Sequence, residues 1–171
     1  MARVSKKQNK PESKEAIEHR TSVGKRYSLW VLLNQARDSM RRARDAELAE
    51  FGISTRQGAV LFIIMANGGV ATPTEISKWL LKEPHTVSAI LSRMEKNGLV
   101  NKIKSKGGRG RINVSLTETG KQAYLKTEKA TSVSDILDCL SSEDQEYLSS
   151  ILGRIRDTAL NYTTRTKVPF P

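Results

Sequence analysis

Residues 85–100 read HTVSAILSRMEKNGLV, and the two faces of that stretch ask for different neighbours. Val87, Ile90, Leu91 and Met94 recur at i, i+3, i+4 and i+7, which gathers them on one side of a helix and predicts burial there. The other side carries His85, Ser88, Ala89, Ser92, Arg93 and Lys96, with Glu95 off to the side as the helix's acid. A plain solvated face mixes both signs on long side chains. Small residues with hydroxyls and positive charge instead let another backbone come close, and the sign of the charge makes that partner an anion.

The flanking sequence frames this helix. Upstream, TPTE (72–75) offers Thr72 as N-cap, Pro73 at the first helical position and Glu75 closing a capping box, with Ile76, Trp79 and Leu80 as a buried face. KEP (82–84) makes a turn, and Gly98 stops the second helix. Two short helices about four residues apart match helix-turn-helix spacing. Downstream come LVNKI (99–103), the basic, glycine-rich KSKGGRG (104–110) and INVSL (112–116), where Ile112, Val114 and Leu116 alternate with polar residues. That pattern predicts a β-hairpin with a Gly/Arg tip.

Farther out, the reading is helical. A long helix is expected from about Val23 to Glu50, with Tyr27, Trp30, Val31 and Asn34 on one stripe and Gly52 ending it. STRQ (54–57) forms a capping box, GAVLFIIM (58–65) reads as an almost wholly buried helix, and ANGG (66–69) stops it. Thr117 caps a helix to about Asp138; LSSED (140–144) caps the last, whose stripe is Leu148, Ile151, Leu152 and Ile155. Residues 1–22 are polar and aperiodic and are expected to be a basic arm, disordered or weakly helical, and the prolines of TKVPFP (166–171) keep the tail from being helical throughout.

The fold class that follows is mainly α, six helices with a small β-hairpin wing: a winged helix-turn-helix. Its second helix suits a DNA major groove, with hydroxyls and guanidinium groups meeting base edges and phosphates. The candidate contacts are His85, Thr86, Ser88, Ser92, Arg93 and Lys96 on the helix, with base edges assigned to Ser88, Ser92 and Arg93. Lys104, Lys106, Arg109 and Arg111 of the hairpin are assigned to flanking backbone or minor groove. The charge map agrees. The net charge is +11, and residues 78–111 hold nine Lys/Arg against two acids while residues 1–26 hold eight against three, leaving the rest close to neutral.

Composition narrows the alternatives. Aromatic content of 5% and hydrophobic content of 37% fit a soluble, helix-rich protein, and 171 residues suffice for one good core. No apolar run approaches the roughly 18 residues a membrane span needs, and the N-terminus lacks the apolar stretch of a secretory signal. A single cysteine, Cys139, fits a reducing cytoplasm and is expected to be a small buried hydrophobe. Two histidines and one cysteine, widely separated, give no metal set, and no cofactor is called for. There is no Ser-His-Asp or Cys-His pairing, phosphate-binding glycine loop or catalytic carboxylate pair, so the chain is not expected to be an enzyme.

The run ISTRQGAVLFII, TPTEISKWL, TVSAILSRMEKNGLV and INVSLTETG resembles the MarR family of bacterial and archaeal transcription regulators, in order and spacing, over about residues 24–160. The resemblance implies a homodimer on a pseudo-palindromic operator. It assigns 23–50 and 118–163 to dimerisation, 51–117 to the winged helix-turn-helix and 164–171 to a tail. It implies a repressor, DNA-associated in the cytoplasm, that releases double-stranded DNA when a small aromatic effector enters a cleft here assigned to Trp30, Asn34 and Phe62. On residue type alone, Trp30, Phe62 and Trp79 read as core. Two departures stand out: Gly108 and Gly110 replace the family's wing Asp-x-Arg pair, and Ala89 replaces an arginine common early in the recognition helix. A looser wing, working through charge, is expected. The competing reading is an architectural winged helix that binds nucleic acid without sequence preference.

Overall fold

The computed structural model describes residues 14–104 and 112–162, and for residues 14–20 the backbone alone. The chain divides into two units, residues 1–39 and 40–171. Helix α1 (Lys14–Ala49) runs through the first and opens the second. It starts earlier than about Val23: residues 14–22, expected in an arm either disordered or weakly helical, belong to the helix. KEAIEHR is built of helix formers with acids toward its N-terminal end, which favours helix there without any amphipathic stripe. In the first unit most of the large apolar side chains stand in solvent: Val23, Tyr27, Leu29, Trp30 and Leu32 are exposed while Val31 and Leu33 are half-buried, and Tyr27 packs obliquely on Trp30 with ring centroids 5.6 Å apart.

The second unit continues as α2 (Thr55–Ala66), β1 (Val70–Ala71), α3 (Pro73–Leu80), α4 (Pro84–Lys96), β2 (Val100–Lys104), β3 (Ile112–Leu116), α5 (Glu118–Lys129), α6 (Ser132–Leu137) and α7 (Ser142–Leu160). The capping boxes form as read: Ser54 accepts from the Gln57 amide and Thr72 from that of Glu75, with the Gln57 and Glu75 side chains returning to the cap backbones. Ser141 and Thr117 likewise accept from Asp144 and Gly120.

The core joins Leu48 of α1 to Val60, Leu61 and Ile64 of α2, Ile76 of α3, Val87, Leu91 and Met94 of α4, and Val100 and Val114 of the sheet. Antiparallel pairing sets Val100 opposite Leu116 and Lys104 opposite Ile112, which forms the expected hairpin. The short third strand, β1, pairs Val70 with Ser115 and Ala71 with Val114. The sequence reading missed it, because two residues are too few to show alternation. Gly68 and Gly69, both at positive φ, turn the chain from α2 into it.

Three more features differ from expectation. The α2 helix is not wholly buried: Phe62 and Met65, one turn apart, face out. The helix expected from Thr117 to Asp138 is broken at Ala130, whose extended backbone separates α5 from α6. A pair on α1 clamps the break. The Arg44 guanidinium donates to the carbonyls of Thr127 (2.8 Å) and Ala130 (2.9 Å), and Glu47 accepts from the Thr131 amide (2.6 Å) and the Ser132 hydroxyl. A cation thus closes the C-terminus of α5 and a carboxylate the N-terminus of α6, each matched to the helix dipole. Finally, Cys139 is exposed rather than buried, since it lies in the α6–α7 turn and not on an apolar stripe. Among the described residues no helix is long and apolar enough to cross a membrane.

Candidate nucleic-acid interface

The turn between α3 and α4 is tight and locally fixed. Leu81 sits in the left-handed region at φ 51°, the Lys82 amide donates to the Ser77 carbonyl at 3.1 Å, and the Ser77 hydroxyl donates to the Lys82 carbonyl at 2.5 Å. Pro84 then opens α4 at a position where its missing N–H costs nothing.

Helix α4 has the two faces its sequence predicts. Val87, Leu91 and Met94 are fully buried and Ile90 half-buried, while His85, Ser88, Ala89, Ser92, Arg93 and Lys96 are exposed and Thr86 is partly covered. One inner face anchors the helix, so its outer residues are presented on a rigid support.

The two flanks of the exposed strip are built differently. On the wing side, Lys102 of β2 reaches back to α4, its Nζ 3.0 Å from Glu95 Oε2 and 3.1 Å from Ser92 Oγ. The acid that looked out of place on a cationic helix is there to hold the wing stem. An ammonium can only donate, so Ser92 spends a lone pair on Lys102 and keeps its hydroxyl hydrogen for an outside acceptor.

On the other flank, α4 faces α2 and the second-unit part of α1 across a cleft of about 610 Å³. Arg93, Thr86 and His85 line it from α4, Arg56 and Thr55 from α2, and Arg41 and Asp45 from α1. Asp45 is already committed: its carboxylate accepts from the Thr55 amide (2.9 Å) and pairs with Arg41 (2.9 Å). Hydrogen bonding from Thr55, and then the Arg41 charge, hold it below its ordinary pKa, so it stays ionised and spends its charge on Arg41. The Arg56 and Arg93 side chains make no ion pair or hydrogen bond among the described residues. The cleft is therefore cationic on balance.

Of the hairpin candidates, Lys104 lies exposed at the end of β2. Lys106, Arg109 and Arg111, with Gly108 and Gly110, lie outside the described residues. The proposed effector residues fall in both units. Trp30 is exposed in the first, where the Asn34 side chain donates to its carbonyl at 2.8 Å. Phe62, in the second, stands 43% exposed and packs edge-on against Trp79 at 6.3 Å. Only Trp79 behaves as the core residue that aromatic type suggests; Trp30 and Phe62 do not. The sequence reading also missed Lys102, Arg56 and Arg41. Lys102 had a signal, since a lone acid on a cationic helix implies a basic partner, whereas Arg56 had none.

The model of the MarR family matches residues 51–109, which span α2 through β2 and end before β3. The HTH-type transcriptional regulator PecS of Dickeya dadantii (strain 3937) is 26% identical over 124 residues, covering 70% of this chain and 75% of that protein. Among solved structures, the organohalide-sensing RdhR-CbdbA1625 transcriptional regulator in its 2,4-dichlorophenol-bound form superposes with a TM-score of 0.77. It is 31% identical, with 85% of this chain and 89% of that chain covered. A mutant MarR from E. coli complexed with operator DNA superposes with a TM-score of 0.70 at 19% identity, covering 75% and 93%, a likeness of fold.

Proposed function

The chain belongs to the MarR family of transcriptional regulators, and from that premise we propose that it is a sequence-specific repressor that binds a pseudo-palindromic operator as a homodimer. The observation that carries the reading is α4 itself: one face fully buried, the other small, hydroxylated and cationic. Seated in a major groove, Ser88 and Ala89 allow close approach and Ser92 offers a hydrogen to base acceptors. His85, Thr86 and Lys96 meet phosphates beside them, and Lys104, Lys106, Arg109 and Arg111 of the wing follow the flanking backbone. The protein works in the cytoplasm on double-stranded DNA.

Two apolar surfaces support the dimer. Helix α7 buries none of its residues within its own unit, leaving Leu152 and Ile155 exposed, and the first unit exposes Tyr27, Leu29, Trp30 and Leu32. Apolar area of this extent on amphipathic helices calls for a cover, and a second copy supplies it. A small aromatic effector is proposed by analogy with the dichlorophenol bound by the organohalide sensor.

Selecting bound duplexes from a random library at about 150 mM salt tests this reading. The expected product is an inverted repeat with half-sites about one helical turn, roughly 10 base pairs, apart. Strong, salt-sensitive retention without enrichment would replace it with the architectural reading.

A further inference from the structure

We propose that the cleft beside α4 is a DNA-backbone site in which Arg56, together with Arg93, takes a phosphate of the strand flanking the recognition helix. The inference rests on the DNA-binding reading and extends it to a residue on a different helix, outside both basic windows of the sequence.

Charge is the first argument. Among the described residues the cleft's one carboxylate, Asp45, is paired with Arg41, and Arg56 and Arg93 pair with no carboxylate. Two guanidinium groups that face one cleft repel each other, and an anion between them removes that repulsion. Each presents a planar fork of donors suited to phosphate oxygens.

Placement is the second argument. Helix α4 contributes one wall of the cleft with His85, Thr86 and Arg93, the same exposed side that would enter the groove. A duplex holding that helix carries a phosphate strand along each of its flanks. The wing-side flank is occupied by Lys102; the opposite flank is this cleft. Arg93, which the sequence assigned to base edges, is thereby reassigned to the backbone. Base reading is left to Ser88 and Ser92.

The test uses a duplex recovered from the library and titrates it across a salt series by fluorescence anisotropy. For Arg56→Gln the expected result is weaker binding to recovered and scrambled duplexes alike, with base preference unchanged and a salt slope shallower by about one unit. The deficit should then narrow about fourfold between about 50 and 200 mM salt. Walking a methylphosphonate along the recovered duplex should locate one phosphate per half-site whose neutralisation weakens the parent more than it weakens Arg56→Gln, which keeps Arg93 there. A parent that binds while Arg56→Gln matches its affinity and slope overturns the site alone. A parent that retains no duplex overturns the DNA-binding reading and the site with it. Stabilisation of the free protein by inorganic phosphate, lost in Arg56→Gln while the duplex slope stays unchanged, would assign the cleft to a free anion and overturn the DNA assignment.

Discussion

Gly120 is where the structure sets the cost of one methyl group most sharply. A Cβ built on it would lie 2.0 Å from the Leu99 carbonyl oxygen and 3.0 Å from its carbon. Both sides of that contact are backbone, so no rotamer change relieves it, and α5 and the start of the wing would have to part by roughly an ångström or more. Two hydrogen bonds cross the junction, the Thr117 amide to the Leu99 carbonyl (3.1 Å) and the Thr117 hydroxyl to the Gly98 carbonyl (2.6 Å), and the Gly120 amide ties into them through the Thr117 hydroxyl (2.9 Å). Overpacking costs about 1–3 kcal/mol. Each strained or lost hydrogen bond adds about 0.5–1.5 kcal/mol, and alanine's better helix propensity returns about 1 kcal/mol. Gly120→Ala should therefore destabilise by roughly 2–4 kcal/mol, a fall in Tm of roughly 5–15 °C for a chain of this length. Gly58→Ala is the control: its Cβ meets Leu48 Cδ1 at 3.4 Å and Thr127 Cγ2 at 3.6 Å, ordinary contact inside a helix. It should leave stability level or raise it by up to about 1 kcal/mol. Thermal melts by circular dichroism at one protein concentration compare the two. A Gly120→Ala variant melting within about 2 °C of the parent would refute the reasoning.

Acid should unfasten the clamp at the α5–α6 break. The Ser132 hydroxyl first, then the backbone amides and Arg44, hold Glu47 below its ordinary 4.5, so its contribution is complete above that value and lost as pH falls through the depressed one. The Tm gap between parent and Glu47→Gln should be widest near pH 6–7 and narrow progressively as pH falls below 4.5; a gap constant with pH would count against the clamp. Ile155→Glu puts a charge on the uncovered face of α7 and should turn a dimer into a monomer in sedimentation at about 10 μM, with the helical spectrum retained. A variant that still sediments as the parent does would remove α7 from the interface. Lys102→Met frees a half-exposed Glu95 at a folding cost under about 1 kcal/mol. It should relax base preference beneath Ser92 more than it lowers total affinity, and an unchanged preference would make Lys102 structural only.

The parts legible in the sequence were those written in local chemistry. The caps at Ser54, Thr72, Thr117 and Ser141 need only a hydroxyl and an amide two or three residues on, and all four form. The inner face of α4 depends on period alone, and Val87, Leu91 and Met94 are buried as the period demands. What the sequence hid was non-local. Strand β1 exists because β3 has a free edge for Val70 and Ala71 to join, and Arg44 and Glu47 break the α5–α6 helix from more than 80 residues away. Trp30 and Phe62 show the opposite failure. A large aromatic argues for burial but cannot say whether its own unit or another copy of the chain will cover it.

The same contrast governs how far the interface could be read. Period put Ser92 and Arg93 side by side on the outer face, and residue type made both of them base contacts. Their neighbours separate them. Ser92 turns toward the wing and is held by Lys102, so its remaining donor is pre-set, and such a group discriminates because a mismatched base leaves it unpaired. Arg93 turns toward a cationic cleft, where the proposed backbone phosphate would satisfy it at any sequence. In the proposed complex two adjacent residues would divide the work between reading and holding, the division set by Lys102 on one flank and Arg56 on the other, neither of them part of α4. A variant lacking Lys102 should lose discrimination while keeping most of its salt slope, and one lacking Arg56 should lose slope while keeping discrimination. If both variants lost the two properties together, the flanks would not be separate devices and α4 would act as one undivided surface.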